Sequence, residues 1–183
     1  MRRILIFIMF MSMTTVAVSQ NYVGLESSGV MQRGVDKYDD QYHWRPRLMF
    51  GHLNEPSTPH SNWGYGWEAG AIYLAPAENR VGELSGFGAD ALFVASNNFS
   101  GSWSFFYKLG AGLEKLSFSK SSRLGREDLT STILYGVGKL GLGYEFKNGI
   151  GLFISENYQT KPIGHPVISY DGFSSSLGIT YSF

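Results

Sequence analysis

The chain contains no cysteine, so neither disulfides nor thiolate metal sites are available to it. Charge is scarce as well. Asp, Glu, Lys and Arg make up 16% of the 183 residues, against about 25% in an ordinary soluble domain. The 15 basic and 15 acidic residues cancel, which speaks against a nucleic-acid surface. Past the N-terminus no apolar run approaches the roughly 20 residues of a membrane helix. The four histidines are His43, His52, His60 and His165, and no two are spaced as a metal pair on one strand or helix. There is no phosphate-cradling glycine loop and no G-x-S-x-G elbow. Catalytic residues, metal and cofactors are therefore all read as none.

Glycine and aromatic residues are abundant: 23 glycines, and 15% Phe, Trp and Tyr. The first residues, MRRILIFIMFMSMTTVAVSQ, carry two arginines, a short apolar run and small residues before Gln20. This is the pattern of a secretory signal peptide, expected over residues 1–19, with the barrel domain over 20–183. The run is well short of a membrane span.

The exported part alternates large apolar residues with small or charged ones. In GVGKLGLGYEF, Leu140, Leu142, Tyr144 and Phe146 share one parity, and Lys139, Gly141, Gly143 and Glu145 the other. Period two is the signature of a strand, because successive side chains point to opposite faces. Eight such stretches are predicted, over residues 21–29, 42–53, 63–74, 86–97, 102–118, 130–146, 149–158 and 167–183. Polar, longer connections alternate with short ones such as NNFSG and KNG, with NEPSTPHSN as the exception. Long loops at one end and short turns at the other are the organisation of an outer-membrane barrel.

A soluble sandwich also alternates. Here the apolar faces concentrate Trp, Tyr and Phe toward strand ends, whereas the polar faces are glycine-rich with few charges of either sign. A solvated face would be dense in charge. The charged face is therefore read as inward and the greasy face as lipid-facing. The predicted fold class is all-β, an eight-stranded antiparallel up-and-down transmembrane barrel. Its narrow lumen is filled by its own side chains. The expected lumen network sets Arg45, Arg47, Lys108 and Lys139 against Glu68, Asp90, Glu114 and Glu145, so that each buried charge has a partner. Gly141 and Gly143 are expected to leave room for side chains from across the barrel.

The stretch YGVGKLGLGYEFKNGIGLFISENY, with SLGITYSF at residues 176–183 and NYVGLESSG at 21–29, resembles the OmpA-like outer-membrane β-barrel family. The resemblance covers nearly all of residues 20–183. It implies a bacterial outer-membrane location, with outer-membrane lipid as solvent. It also implies that Phe183 and Tyr181 belong to a C-terminal signal read by the barrel-assembly machinery. It is uninformative about activity, because the family includes tethers, adhesins and serum-resistance factors. The expected role is structural or in surface interaction through the loops, as a monomer, with a host or environmental ligand as the partner. The protein is not expected to be an enzyme.

Alternatives stay open at this level. One is a lipid A deacylase-like enzyme, for which His60-Ser61-Asn62 is the tempting stretch, although the spacer residue of that motif is missing. Another is a small-solute channel, and a third a soluble lipocalin-like barrel. Two residues fit the strand scheme poorly. Pro46 lies inside the second strand, which implies either that the membrane part of that strand starts after Pro46 or that there is a bulge. Glu156 falls on the lipid parity, which implies a register change after Ile154 or a place near the interface.

Overall fold

A computed structural model describes residues 19–32, 41–54, 62–78, 83–122, 125–163 and 172–183. The expected signal peptide, apart from Ser19, lies outside them, as do His60, Ser61 and His165. The eight strands are β1 (Ser19–Gln32), β2 (Gln41–Asn54), β3 (Trp63–Glu78), β4 (Glu83–Ser100), β5 (Trp103–Ser122), β6 (Gly125–Glu145), β7 (Ile150–Gln159) and β8 (Gly172–Ser182). Each pairs antiparallel with the next, and β8 pairs back onto β1, closing a barrel. Closure leaves no edge strand. At the turn end the start of β1 is tied to the residue after β8. Phe183 N donates to Asn21 O at 2.9 Å, and Asn21 N to Phe183 O at 3.3 Å.

The short turns form where the sequence signals them. Gly149 in KNG and Gly101 in NNFSG adopt φ of 81° and 56°, a region that favours glycine. Gly149 N closes the turn onto Phe146 O at 3.0 Å. No bulge accommodates Pro46 against β1, since it sits in continuous register opposite Ser27. The β2–β3 ladder begins at the next residue, Arg47↔Ile72, so the proline stands at the end of that ladder.

The outward faces are those of a membrane protein. Leu48, Leu109 and Leu140 are 58%, 57% and 56% exposed, while Glu68 and Arg47 are 1% and 4% exposed. On β5 the outward residues Trp103, Phe105, Tyr107, Leu109, Ala111 and Leu113 form the belt. Ten residue steps at about 3.3 Å, tilted by about 40°, make a band about 25 Å tall. Trp103 and Tyr144 (ring centroids 5.0 Å apart) contribute to the turn-end girdle, and Tyr158 and Phe173 (5.0 Å) to the loop-end one.

Above the belt the polarity reverses. On β5 the outward residues become Lys115 and Ser117, both exposed, while Leu116 is buried inside. On β6, Thr130 and Thr132 are exposed and Ile133 is 1% exposed. Leu74, Leu84, Leu92, Leu116, Ile133, Tyr135 and Val137 form a cluster within the barrel along β3–β6, with Phe118 packed against it. The loop half of the interior is therefore apolar on this wall, where a polar lumen was expected throughout. A strand section standing in water buries its apolar residues inside, as a soluble barrel does.

The inward glycines also differ from expectation. Gly141 offers no spare room, because a Cβ there would meet the Phe106 ring at 2.3 Å and Ile154 O at 2.5 Å. Four inward aromatics lie over glycines that are their direct ladder partners: Tyr22 over Gly51, Tyr135 over Gly112, Phe106 over Gly141 and Phe153 over Gly178. Each ring covers the gap left by a missing side chain on the next strand, not on the opposite wall.

Candidate functional site

The midsection of the lumen is an ion-pair network built from six strands. Arg47 on β2 is its hub. Its Nε lies 3.0 and 2.9 Å from Asp90 Oδ1 and Oδ2, and its Nη2 lies 2.6 Å from Oδ1. Its Nη1 reaches Glu68 Oε1 at 2.7 Å and Glu26 Oε2 at 3.2 Å. Glu68 in turn accepts from Lys108 Nζ at 2.6 Å and Tyr22 OH at 2.8 Å. Glu26 accepts from Lys139 Nζ at 2.7 and 2.6 Å and from Ser176 Oγ at 2.8 Å. Arg47 fits because Gly70 on the neighbouring β3, two residues from its ladder partner Ile72, has no side chain; a Cβ there would lie 2.3 Å from the guanidinium Nε. Bidentate guanidinium–carboxylate contacts of this kind hold both orientation and charge.

A second cluster lies beside it. Arg45 pairs with Glu114 and donates to Gln159 Oε1 at 3.2 Å, and Tyr135 OH donates to Glu114 at 2.8 Å. Arg45 also stands 5.4 Å from the centre of the Tyr135 ring. Tyr135 belongs to the apolar cluster above, so the polar and apolar parts of the interior meet at this residue.

The structure thus brings together Arg45, Arg47, Lys108, Lys139, Glu68, Asp90 and Glu114. It does not bring Glu145 into this set. Glu145 is exposed at the turn end, where Gln20 Nε2 donates to it at 3.1 Å. Its place is taken by Glu26, 3% exposed, which the sequence reading missed. The signal was present in NYVGLESS: Tyr22, Gly24, Glu26 and Ser28 alternate against Val23 and Leu25. His43 and His60 have no described side chains, while His52 contacts Asn21 Oδ1 through Nδ1 at 2.9 Å, at the turn end. Asn62 lies at the turn end, its carbonyl accepting from Asn98 N at 3.1 Å.

Below the network a cup of about 130 Å³ opens at the turn end, with Tyr22, Phe106, Phe153 and Lys108 among its lining. Lys108 Nζ lies 4.9 and 5.4 Å from the centres of the Phe106 and Phe153 rings, at the boundary between cup and network. The void among the ion pairs is about 20 Å³, room for about one water. Phe183 stacks on Tyr181 (centroids 6.4 Å) outside the barrel at its turn end.

No protein-family model matches the chain, and no curated protein matches it in sequence. Solved structures do. Neisserial surface protein A is similar with a TM-score of 0.59 at 13% identity, over 89% of this chain and 97% of that one. Ail, the attachment invasion locus protein of Yersinia pestis, is similar with a TM-score of 0.56 at 20% identity, over 90% and 97%. The outer membrane enzyme PagL reaches a TM-score of 0.48 at 16% identity, over 88% and 98%, too loose a likeness to bear on activity. At these identities the likeness is one of fold. The chain has the fold of the small eight-stranded bacterial outer-membrane barrels, the architecture that its OmpA-like sequence pattern implies, with the apolar outer belt that a membrane location demands.

Proposed function

We propose that the protein is a closed outer-membrane barrel that works as a surface scaffold, with its loop end facing outward. The observation that carries this is the reversal of polarity on β5 and β6, above which the apolar cluster inside spans β3–β6. β4, β5 and β6 run for 18, 20 and 21 residues, where about 9–11 suffice to cross the membrane. The nine residue steps from Leu113 to Ser122 lift the wall roughly 20 Å above the belt. A folded extension with its own apolar core is a rigid platform for loops, and loops on rigid scaffolds carry recognition. The lumen beneath is filled by ion pairs, which favours a scaffold over a solute path. Ail is the attachment invasion locus protein of Yersinia pestis, and one of its structures is a complex with the heparin analogue sucrose octasulfate (TM-score 0.50, 20% identity). For this chain an anionic surface polymer is accordingly one ligand class to assay first.

The absence of native cysteine makes the test direct. Ser117→Cys, on the exposed outer wall, should react with a membrane-impermeant maleimide on intact cells. Asn148→Cys in the turn after β6 should react only after the cells are broken. Labelling of Asn148→Cys alone on intact cells would reverse the orientation and refute the reading.

A further inference from the structure

Glu156 faces outward at the loop-end edge of the apolar belt, one same-face step below the Tyr158–Phe173 girdle pair. The β6–β7 and β7–β8 ladders run through it without a register shift, opposite Leu140 and Ser175. Leu152 and Ile154 precede it on the same exposed face of β7, and Tyr158 follows. Ser175 Oγ donates to its Oε1 at 2.6 Å, and among the described residues no cation pairs with it. A carboxylate at the edge of the hydrocarbon with only a neutral donor is costly, and such residues mark functional sites.

Two further observations give the site its chemistry. Immediately loop-ward, Tyr158 and Phe173 are ladder partners with ring centroids 5.0 Å apart, and Phe173 is 78% exposed. Exposed aromatic rings next to a carboxylate are the elements of an ammonium site, because the ring quadrupole and the anion both attract a desolvated cation. The flank is also open. The last β1–β8 pair toward the loops is Ser28↔Ser176, and a Cβ built on Gly29 of β1 would meet nothing within 4 Å. Ile154 and Leu177, ladder partners 56% and 65% exposed, continue the face toward the turn end as an apolar track.

We propose that this outer face of β7–β8 holds the ammonium headgroup of a membrane amphiphile, with Glu156 as counter-ion, Tyr158 and Phe173 as its aromatic wall and Ile154–Leu177 under its chain. The occupant is a lipid because the site opens into the lipid phase. The inference rests on the barrel spanning a membrane, which the cysteine labelling tests separately.

The experiment is native mass spectrometry of the full chain, released from nonionic detergent after incubation with equal phosphatidylethanolamine and phosphatidylglycerol of identical chains. One retained phosphatidylethanolamine per barrel, favoured at least tenfold over phosphatidylglycerol, is expected. In heat-modifiable, folded Glu156→Gln the preference should fall below about twofold, and Phe173→Leu should lower it several-fold. Equal retention of both lipids by the unaltered barrel overturns the proposal and needs no variant. So does a preference that survives in Glu156→Gln. A lipid-free dimer lost in Glu156→Gln would give the site to a second copy, and also overturns it.

Discussion

Replacing Glu26 by alanine should cost the barrel about 3 kcal/mol, at the lower end of the roughly 3–5 kcal/mol for breaking a buried ion pair. The structure supplies the reasoning. Arg47 loses one of three carboxylates and keeps Asp90 and Glu68, so it remains neutralised. Lys139 is different. Glu26 holds its ammonium with both oxygens, and the Lys139 side chain is 7% exposed. The mutation therefore strands one buried cation, whereas Ser176 Oγ, which donates to the same carboxylate, keeps Ser155 Oγ at 2.7 Å. About 3 kcal/mol corresponds to roughly a hundredfold shift in the unfolding equilibrium. Removing the cation together with the anion, as Glu26→Leu with Lys139→Met, should recover most of the loss, because replacing both partners by apolar groups is often near neutral. Glu145→Ala, at the exposed turn end, should stay within about 0.5 kcal/mol. Reversible denaturant unfolding in lipid vesicles, followed by tryptophan fluorescence and heat-modifiability, measures all of these. Equal losses for Glu26→Ala and Glu145→Ala, or a double variant no better than the single one, would refute the reasoning.

The unaltered barrel in a planar bilayer should show no stable conductance of porin size, and a steady one would show an open lumen. Arg45→Ala with Arg47→Ala should destabilise strongly, since Glu114 and Asp90 each lose their arginine partner, yet leave conductance low because strand number fixes the width. Leu142→Arg should cost about 2–4 kcal/mol on the lipid face. Gly141→Ser, harmless in a roomy polar lumen, should instead lower stability measurably in the same unfolding assay, because its Cβ collides with the Phe106 ring and the Ile154 carbonyl. Deleting Phe183 should reduce the amount of heat-modifiable barrel in outer-membrane fractions; unchanged amounts would remove it from the assembly signal.

All eight strands were legible in the sequence, because period two is a local signal and the belt keeps it unbroken. Faces were legible for the same reason, down to Arg45, Arg47, Glu68, Asp90, Lys108, Glu114 and Lys139 pointing inward. Ladder partners were not, since register depends on pairs far apart in the chain. That is why the rings over Gly51, Gly112, Gly141 and Gly178 could not be anticipated. Glu26 was missed although its parity was readable, and Glu145 was placed in the network by parity alone, without its height. The apolar cluster had a signal too. In LEKLSFS the apolar parity switches between Leu113 and Leu116, a change of phase that marks where the strand leaves one solvent for another.

That change of phase works as a waterline. If the barrel sank by two residue steps, about 5 Å along the normal, Lys115 and Thr132 would enter hydrocarbon, and a lysine there costs up to about 2–4 kcal/mol at depth. If it rose by the same step, Leu113 and Leu134, 53% and 45% exposed, would be lifted into water. Draught is therefore set by β5 and β6, the longest strands, while β7 and β8, of 10 and 11 residues, carry no such mark. A hull weighted on one side also fixes its list: the membrane should meet this barrel at a defined tilt, with the tall wall always at the same angle to whatever approaches from outside.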